Sequence, residues 1–280
     1  MESQGEAGLL NINLDEQKSL LCFLRERFNL DFRDYLVDSV HRRLLKVLKD
    51  FRISKVEELI PVLNEHPEGR EHFLDCFTVN VTDYFRDPEA FRSLRDNVFP
   101  AFSNKEEIHI WLAGCSTGEE VLSVEILLHE MGLLDRCRIL ATDISGKAIA
   151  RARRGEFLSR YAAEHELAYR RAGGLYSFDH YLNNSDRSFP GAQELLRRVE
   201  WRIHDLTSDK VHRKFDLIIC RNVLIYFKRN LQNKVLTSLS KKLRPEGYIM
   251  QGSKESLILY SENQRFREVS PGCRIYQKQA

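Results

Sequence analysis

Residues 108–120 read Ile-His-Ile-Trp-Leu-Ala-Gly-Cys-Ser-Thr-Gly-Glu-Glu, an apolar run that passes through a turn of small residues into two acids. An almost uninterrupted apolar run of strand length predicts a strand buried on both faces, as in a parallel sheet. Gly114 and Gly118 allow the backbone to turn tightly, and EEVLSVEILLHEMG behind them reads as a helix that is apolar on most sides. The alternation continues to the C-terminal side. RILATDI, FDLIICRN and YIMQG read as strands, GKAIARARRG and LQNKVLTSLSKKLRPEG as helices, and PGCRIYQKQA as a last strand. Strand and helix in turn predict an α/β, Rossmann-like domain: a parallel sheet with helices on both faces and a ligand beyond the carboxyl ends of the strands.

Toward the N-terminus the pattern is helical throughout. DEQKSLLCFLRERF, DYLVDSVHRRLLKVLKDF, SKVEELIPVLNE and EGREHFLDCF are separated by Asn29, Ser54 and the Pro67/Gly69 pair. In the second, Leu36, Val40, Leu44, Leu45 and Leu48 make an apolar face, with Arg42, Arg43, Lys46 and Lys49 toward the other side. Three regions are expected: an all-helical domain over 1–77, a linker and cleft segment over 78–105, and the α/β domain over 106–280. Residues 156–200, polar and dotted with aromatics and turn formers, are an insertion into that last domain.

Composition bounds the function. Of 280 residues, 42% are apolar and 30% charged, enough for a real core. Forty-three Lys and Arg against 41 Asp and Glu leave +2, which does not indicate a nucleic-acid binder. The first twenty residues lack the basic start and apolar run of a secretory signal, and no apolar stretch reaches membrane-spanning length, so a soluble cytoplasmic protein without membrane insertion is expected. The six cysteines contain no CxxC pair, and the spacing predicts reduced thiols and no metal centre.

The turn at 114–118 is neither the GxGxxG dinucleotide fingerprint nor a phosphate loop with its Lys-Ser/Thr. Glu119 and Glu120 beside it oppose a phosphate and suit a cation such as a sulfonium or an amine. Asp143 ends the second strand some 25 positions beyond Gly118, where an acid accepts from both hydroxyls of a ribose. It would also serve as a cap for the helix near Ser145. Together the turn and the acid imply a nucleoside without a phosphate clamp, for which S-adenosylmethionine is the common cofactor. Asp205-Leu206 and Arg221-Asn222 follow two further strands, Tyr226 lies five residues on, and Asn80, Thr82 and Arg86 fall in the segment between the two regions. A charge such as Arg221 after a fully apolar strand is costly unless paired.

TVNVTDYFRD, WLAGCSTGEE, LATDIS, FDLIICRNVLIYF and LRPEGYIMQGSKESL, in this order and spacing, resemble the CheR family of chemotaxis receptor glutamate methyltransferases over nearly the whole chain. The resemblance implies a class I S-adenosylmethionine-dependent methyltransferase domain behind a small helical one. It implies a cofactor site of Asn80, Thr82, Arg86, Gly114, Glu119, Asp143, Asp205, Leu206, Arg221 and Asn222, with Arg86 and Tyr226 near the transferred methyl group. It further implies that His41, Arg42, Arg43 and Lys46 dock the acidic methylation helices of a chemoreceptor, and that 156–200 corresponds to the family's inserted β-subdomain, on which the segment maps no motif. Val121-Leu122 stand where the family has Pro-Tyr, and Lys254 adds a charge to Gly-x-Ser-Glu-Ser.

Methyl transfer to a carboxylate needs no general base, because the nucleophile is ionised at neutral pH; it needs alignment of the oxygen about 3 Å from the methyl carbon, opposite sulfur. A methyltransferase for another protein or a small molecule, and a non-catalytic module that binds S-adenosylmethionine or its product, are the other readings. Against methylation of base amino groups stands Arg221-Asn222-Val223, where such enzymes carry Asn or Asp followed by Pro-Pro.

Overall fold

The computed structural model describes residues 12–157, 163–183, 191–257, 260 and 263–279. The chain divides into two compact units, residues 1–79 and 80–280, so the segment from Asn80 onward belongs to the second unit.

The first unit is helical: α1 (Leu14–Phe28), α2 (Val37–Phe51), α3 (Leu59–Glu65) and α4 (Pro67–Phe77). Asn13 starts α1 with a capping box, its side chain accepting from Glu16 N–H while the Glu16 carboxylate accepts from Asn13 N–H, and Asn29 ends it in the left-handed region. Helix α2 buries Val40, Leu44, Val47 and Leu48. Arg43, expected on its basic face, is buried instead, with its guanidinium over the Phe77 ring at 5.7 Å from the centroid. The basic residues exposed on α2 are therefore Arg42, Lys46 and Lys49, with half-buried His41 beside them.

The second unit begins with the short helix α5 (Pro88–Ser93) and continues as β1 (Ile108–Ala113), α6 (Glu119–Glu130), β2 (Cys137–Asp143) and α7 (Gly146–Arg154). After α8 (Ala163–Arg171), α9 (Phe178–Asn183) and α10 (Ala192–Arg197) come β3 (Glu200–Ile203), β4 (Phe215–Cys220), α11 (Arg229–Lys242), β5 (Leu243–Gln251), β6 (Phe266–Ser270) and β7 (Ile275–Lys278). One sheet runs in the order β3-β2-β1-β4-β5-β7-β6. Its first five strands are parallel, but β7 pairs antiparallel with both β5 and β6, so the sheet is mixed rather than parallel throughout. Residues 243–247, expected to close a helix, belong to β5. All six residues of β4 are buried, as a central parallel strand requires.

Among the described residues of 156–200 the insertion is helical and carries no strand before β3. Tyr169 and Tyr181 both donate phenol hydrogen bonds to Glu130 Oε1 at the end of α6, and Leu175 N–H donates to Glu130 Oε2 at 3.2 Å. Tyr169 and Phe178 pack on Phe85, with centroids 5.3 and 5.6 Å away. The inserted helices thus brace the segment that carries Arg86.

Candidate functional site

The carboxyl ends of β3, β2, β1 and β4 stand side by side, so the residues that follow them share one edge of the sheet. After β1 the chain turns through Gly114, Ser116 and Gly118 with φ of 87°, 51° and 105°. A Cβ on Gly114 would lie 2.4 Å from Val223 Cγ2, so this position admits only glycine and lets β1 and the loop after β4 approach closely. The N–H groups of Gly114 and Cys115 donate to Thr142 O at 2.8 and 2.9 Å, and Ser116 N–H donates to Asp143 Oδ2 at 2.9 Å. Ser145 N–H holds the other oxygen, Oδ1, at 2.9 Å.

Burial raises the Asp143 carboxyl above its ordinary range, against the pull of main-chain N–H groups from Ser145, Ser116 and Ile144. The carboxylate is aimed by these bonds and retains lone pairs for further donors. Glu119, buried at the start of α6, accepts from Thr117 Oγ1 at 2.7 Å through Oε2. Its carbonyl accepts from Ser123 Oγ at 2.8 Å, and Ser123 Oγ accepts from Phe85 N–H at 3.0 Å, which joins α6 to the segment ahead of α5.

In that segment Phe85 and Asp87 have φ of 48° and 58° on either side of Arg86. A left-handed phenylalanine is strained, and here the buried ring, in contact with Phe91, Tyr169 and Phe178, holds it in place. Arg86 is half-buried, and its guanidinium has no hydrogen-bond or ion-pair partner among the described residues. Asn80 and Thr82 are half-buried in the irregular chain just before it.

Arg221, which the resemblance implies in the cofactor site, follows β4 directly. Its side chain is 1% exposed, with Nη1 on Glu120 Oε2 at 2.5 Å and Nη2 on Asp87 Oδ2 at 2.7 Å. Nη2 also donates to the Arg86 carbonyl at 2.8 Å, and the guanidinium covers the Phe91 ring at 5.3 Å. The charge after the apolar strand is therefore paired, and it faces α5 and α6.

Beyond it, Asn222 adopts φ of 58° and the chain folds into a short turn ending at Tyr226, which is half-buried. One buried carboxylate shapes this turn. Glu255 Oε1 accepts from the N–H groups of Val223, Leu224 and Ile225 at 3.0, 2.7 and 3.3 Å, and Oε2 from Asn222 and Gly252 at 2.9 and 2.8 Å. Sequence reading had Glu255 only as a motif letter; its neighbour Lys254 is exposed and leaves this arrangement undisturbed. After β3, Asp205 accepts from Thr207 N–H and Oγ1, both at 2.8 Å, so its carboxylate builds its own turn, with half-buried Leu206 inside it.

The edge fits a nucleoside cofactor. Ser116 Oγ is buried in the glycine turn without a partner among the described residues, beside the aimed Asp143 carboxylate, and a ligand hydroxyl or amine would satisfy both. Both ring nitrogens of buried His204, next after β3, are also without partners there; burial lowers its pKa, favouring the neutral ring.

Strand order, glycine turn and acid after β2 define a class I S-adenosylmethionine-dependent methyltransferase. Within that class the chain belongs to the CheR methyltransferase family: the profile described as the CheR methyltransferase SAM binding domain matches residues 80–273, and that of its all-alpha domain matches residues 15–78. The Pseudomonas putida protein Cher3, provisionally named a methyltransferase, is 36% identical over 252 residues, covering 90% of this chain and 92% of its own. Chemotaxis protein methyltransferase Cher2 of the same organism is 31% identical over 88% of this chain and 90% of its own length. Chemotaxis protein methyltransferase 1 of Vibrio cholerae is 30% identical over 96% and 98%. Among solved structures, the glycopeptide N-methyltransferase MtfA complexed with S-adenosyl-L-methionine matches at a TM-score of 0.36 and 10% identity, over 61% of this chain and 54% of that one, too slight a likeness to argue from. Among the described residues no helix is long and apolar enough to cross a membrane.

Proposed function

We propose that the protein methylates glutamate side chains of chemoreceptor cytoplasmic helices, forming methyl esters. The observation that carries this is Arg86: a guanidinium with no partner among the described residues, on a backbone fixed at both flanks, suits an anionic acceptor. The chemotaxis methyltransferases among the relatives support the choice of receptor.

S-adenosylmethionine supplies an electrophilic methyl group on a sulfonium. Asp143 would accept hydroxyl donors of the cofactor, Glu119 would put negative charge at its cationic end, and the 114–118 turn would allow close backbone approach. Asn80, Thr82, Asp205, Leu206 and Asn222 complete the walls of the cofactor site. Arg86 and Tyr226 would orient the acceptor carboxylate toward the methyl group that the cofactor supplies. Arg221 acts as a positioning residue, holding Arg86 through its carbonyl. No residue has to remove a proton, since the acceptor enters as an anion. Each transfer deletes one negative charge from a receptor helix. Arg42, Lys46 and His41 on α2 offer the complementary basic face for such acidic helices.

The test is transfer of radiolabelled methyl from S-adenosylmethionine to receptor cytoplasmic fragments, followed by mild alkali. Volatile methanol that disappears after Glu→Gln substitution in the receptor supports the reading. Cofactor binding with no transfer to any receptor sinks it and leaves another acceptor, or a sensor of the cofactor.

A further inference from the structure

Helix α4 carries His72 and Cys76 one turn apart, and Asp50, next to last in α2, faces them within the first unit. One ligand atom from each lies within 4.8 Å of the others, and no other such trio of His, Cys, Asp or Glu occurs among the described residues. Cys76 Sγ donates to Asp50 Oδ2 at 2.9 Å and lies 3.8 and 3.7 Å from Nδ1 and Nε2 of His72. Cys76 is buried, His72 half-buried and Asp50 exposed, so the group opens to solvent on one side.

We propose that Asp50, His72 and Cys76 form a three-ligand site for a zinc-like divalent cation, with a water in the fourth position. A thiolate, an imidazole and a carboxylate are the donors zinc takes, and bonds of about 2.3 Å to sulfur and about 2.0 Å to nitrogen or oxygen in a tetrahedron space the ligand atoms roughly 3.5 Å apart. The sulfur–nitrogen separations of 3.7 and 3.8 Å already match that spacing. The sulfur–oxygen contact has to open by roughly half an ångström, which an exposed aspartate at a helix end allows. A pivot of the His72 ring, which rests on Phe51 at 4.8 Å, turns one nitrogen toward the centre. Charge also balances, because two anionic ligands and one neutral imidazole meet a dication. On binding, the sulfur–metal bond forms as the thiol proton leaves to solvent.

The expectation of no metal centre rested on finding no CxxC pair and no His at ligand spacing. It missed a histidine four residues ahead of a cysteine on one helix face, completed by a carboxylate from a different helix. A cation here would pin the end of α2 to α4 and steady the helix that carries Arg42 and Lys46.

The experiment titrates cobalt(II), then zinc(II), into the full chain after dialysis against a chelator. One equivalent of cobalt should produce thiolate-to-metal charge-transfer absorption that zinc abolishes. Cys76→Ser should remove the absorption, and Asp50→Asn, an exposed change, should weaken binding roughly tenfold or more. Cys22→Ser should change nothing, and circular dichroism checks that each variant is folded. Absence of the band in the unaltered chain, its survival in Cys76→Ser, or unchanged affinity in Asp50→Asn overturns the site. Because the readout is the metal alone, the result is independent of the methyl acceptor.

Discussion

The Arg221 guanidinium donates to the main-chain carbonyl of Arg86 at 2.8 Å while it pairs with Glu120 and Asp87. It therefore fixes the backbone of the residue proposed to meet the acceptor. Arg221→Ala leaves two acids facing a buried void, and breaking such a pair costs about 3–5 kcal/mol. Urea unfolding should show a loss of that size. Arg221→Lys, which keeps charge but loses the planar fork, should recover part of the stability and little of the turnover.

Arg86→Ala removes a side chain without a partner among the described residues, so stability should hardly change. Turnover should fall about a hundredfold or more, while calorimetric affinity for S-adenosylhomocysteine stays within about threefold. Equal losses in both would remove Arg86 from the acceptor side.

For Asp143 the expectation is reversed. Asp143→Ala deletes an aimed acceptor, and cofactor affinity should drop roughly tenfold or more. Retained affinity would reduce Asp143 to a cap for α7.

Glu125 lies wholly buried in α6, and neither carboxylate oxygen has a partner among the described residues. Burial pushes its pKa up to about 8. An acid whose folded pKa is raised contributes its full stability below the unfolded value; this stability is lost as pH rises from about 4.5 to about 8, on the order of 5 kcal/mol in all. Denaturation across this range should show the decline, and Glu125→Gln should flatten it, with parity near pH 5 and a gain near pH 8. The same slope in the variant would remove Glu125 as its source.

Much of the architecture was legible because buried parallel strands announce themselves as apolar runs: β1, β2 and β4 all lie where periodicity puts them. Strand β6 was not, since it is an edge strand with exposed Arg267 and Glu268 and lacks such a run. Nor was the reversed direction of β7, which depends on how the connection returns rather than on the residues of the strand. In the first unit, helical spacing could not separate Arg43 from its exposed neighbours, because only tertiary packing puts Phe77 beneath it. At the site, motif position located Arg221 but not its partners, since Glu120 and Asp87 lie 101 and 134 residues away along the chain. That Asp205 also shapes its own turn, through Oδ1 and Thr207, is likewise invisible in its position after a strand.

Glu255→Gln tests how the turn after Asn222 is built. The amide keeps one acceptor but brings a donor against main-chain N–H groups that have lost theirs, a cost of about 1–3 kcal/mol for each unmet group. Hydrogen exchange at Val223 to Ile225 should accelerate and turnover should fall, with cofactor affinity less affected. Unchanged exchange would show the turn to be held by its own sequence.

Because that carboxylate is joined to the turn across 30 to 33 residues, the loop cannot acquire its shape as it leaves the ribosome. Sheet strands β1 to β4 can already be synthesised while Asn222 to Tyr226 still lacks its acceptor, and only emergence of residue 255 completes it. A nascent or prematurely terminated chain would thus hold the first strands of the sheet without the finished turn proposed to meet the acceptor, which would make methyl-transfer competence a late event in the life of each polypeptide.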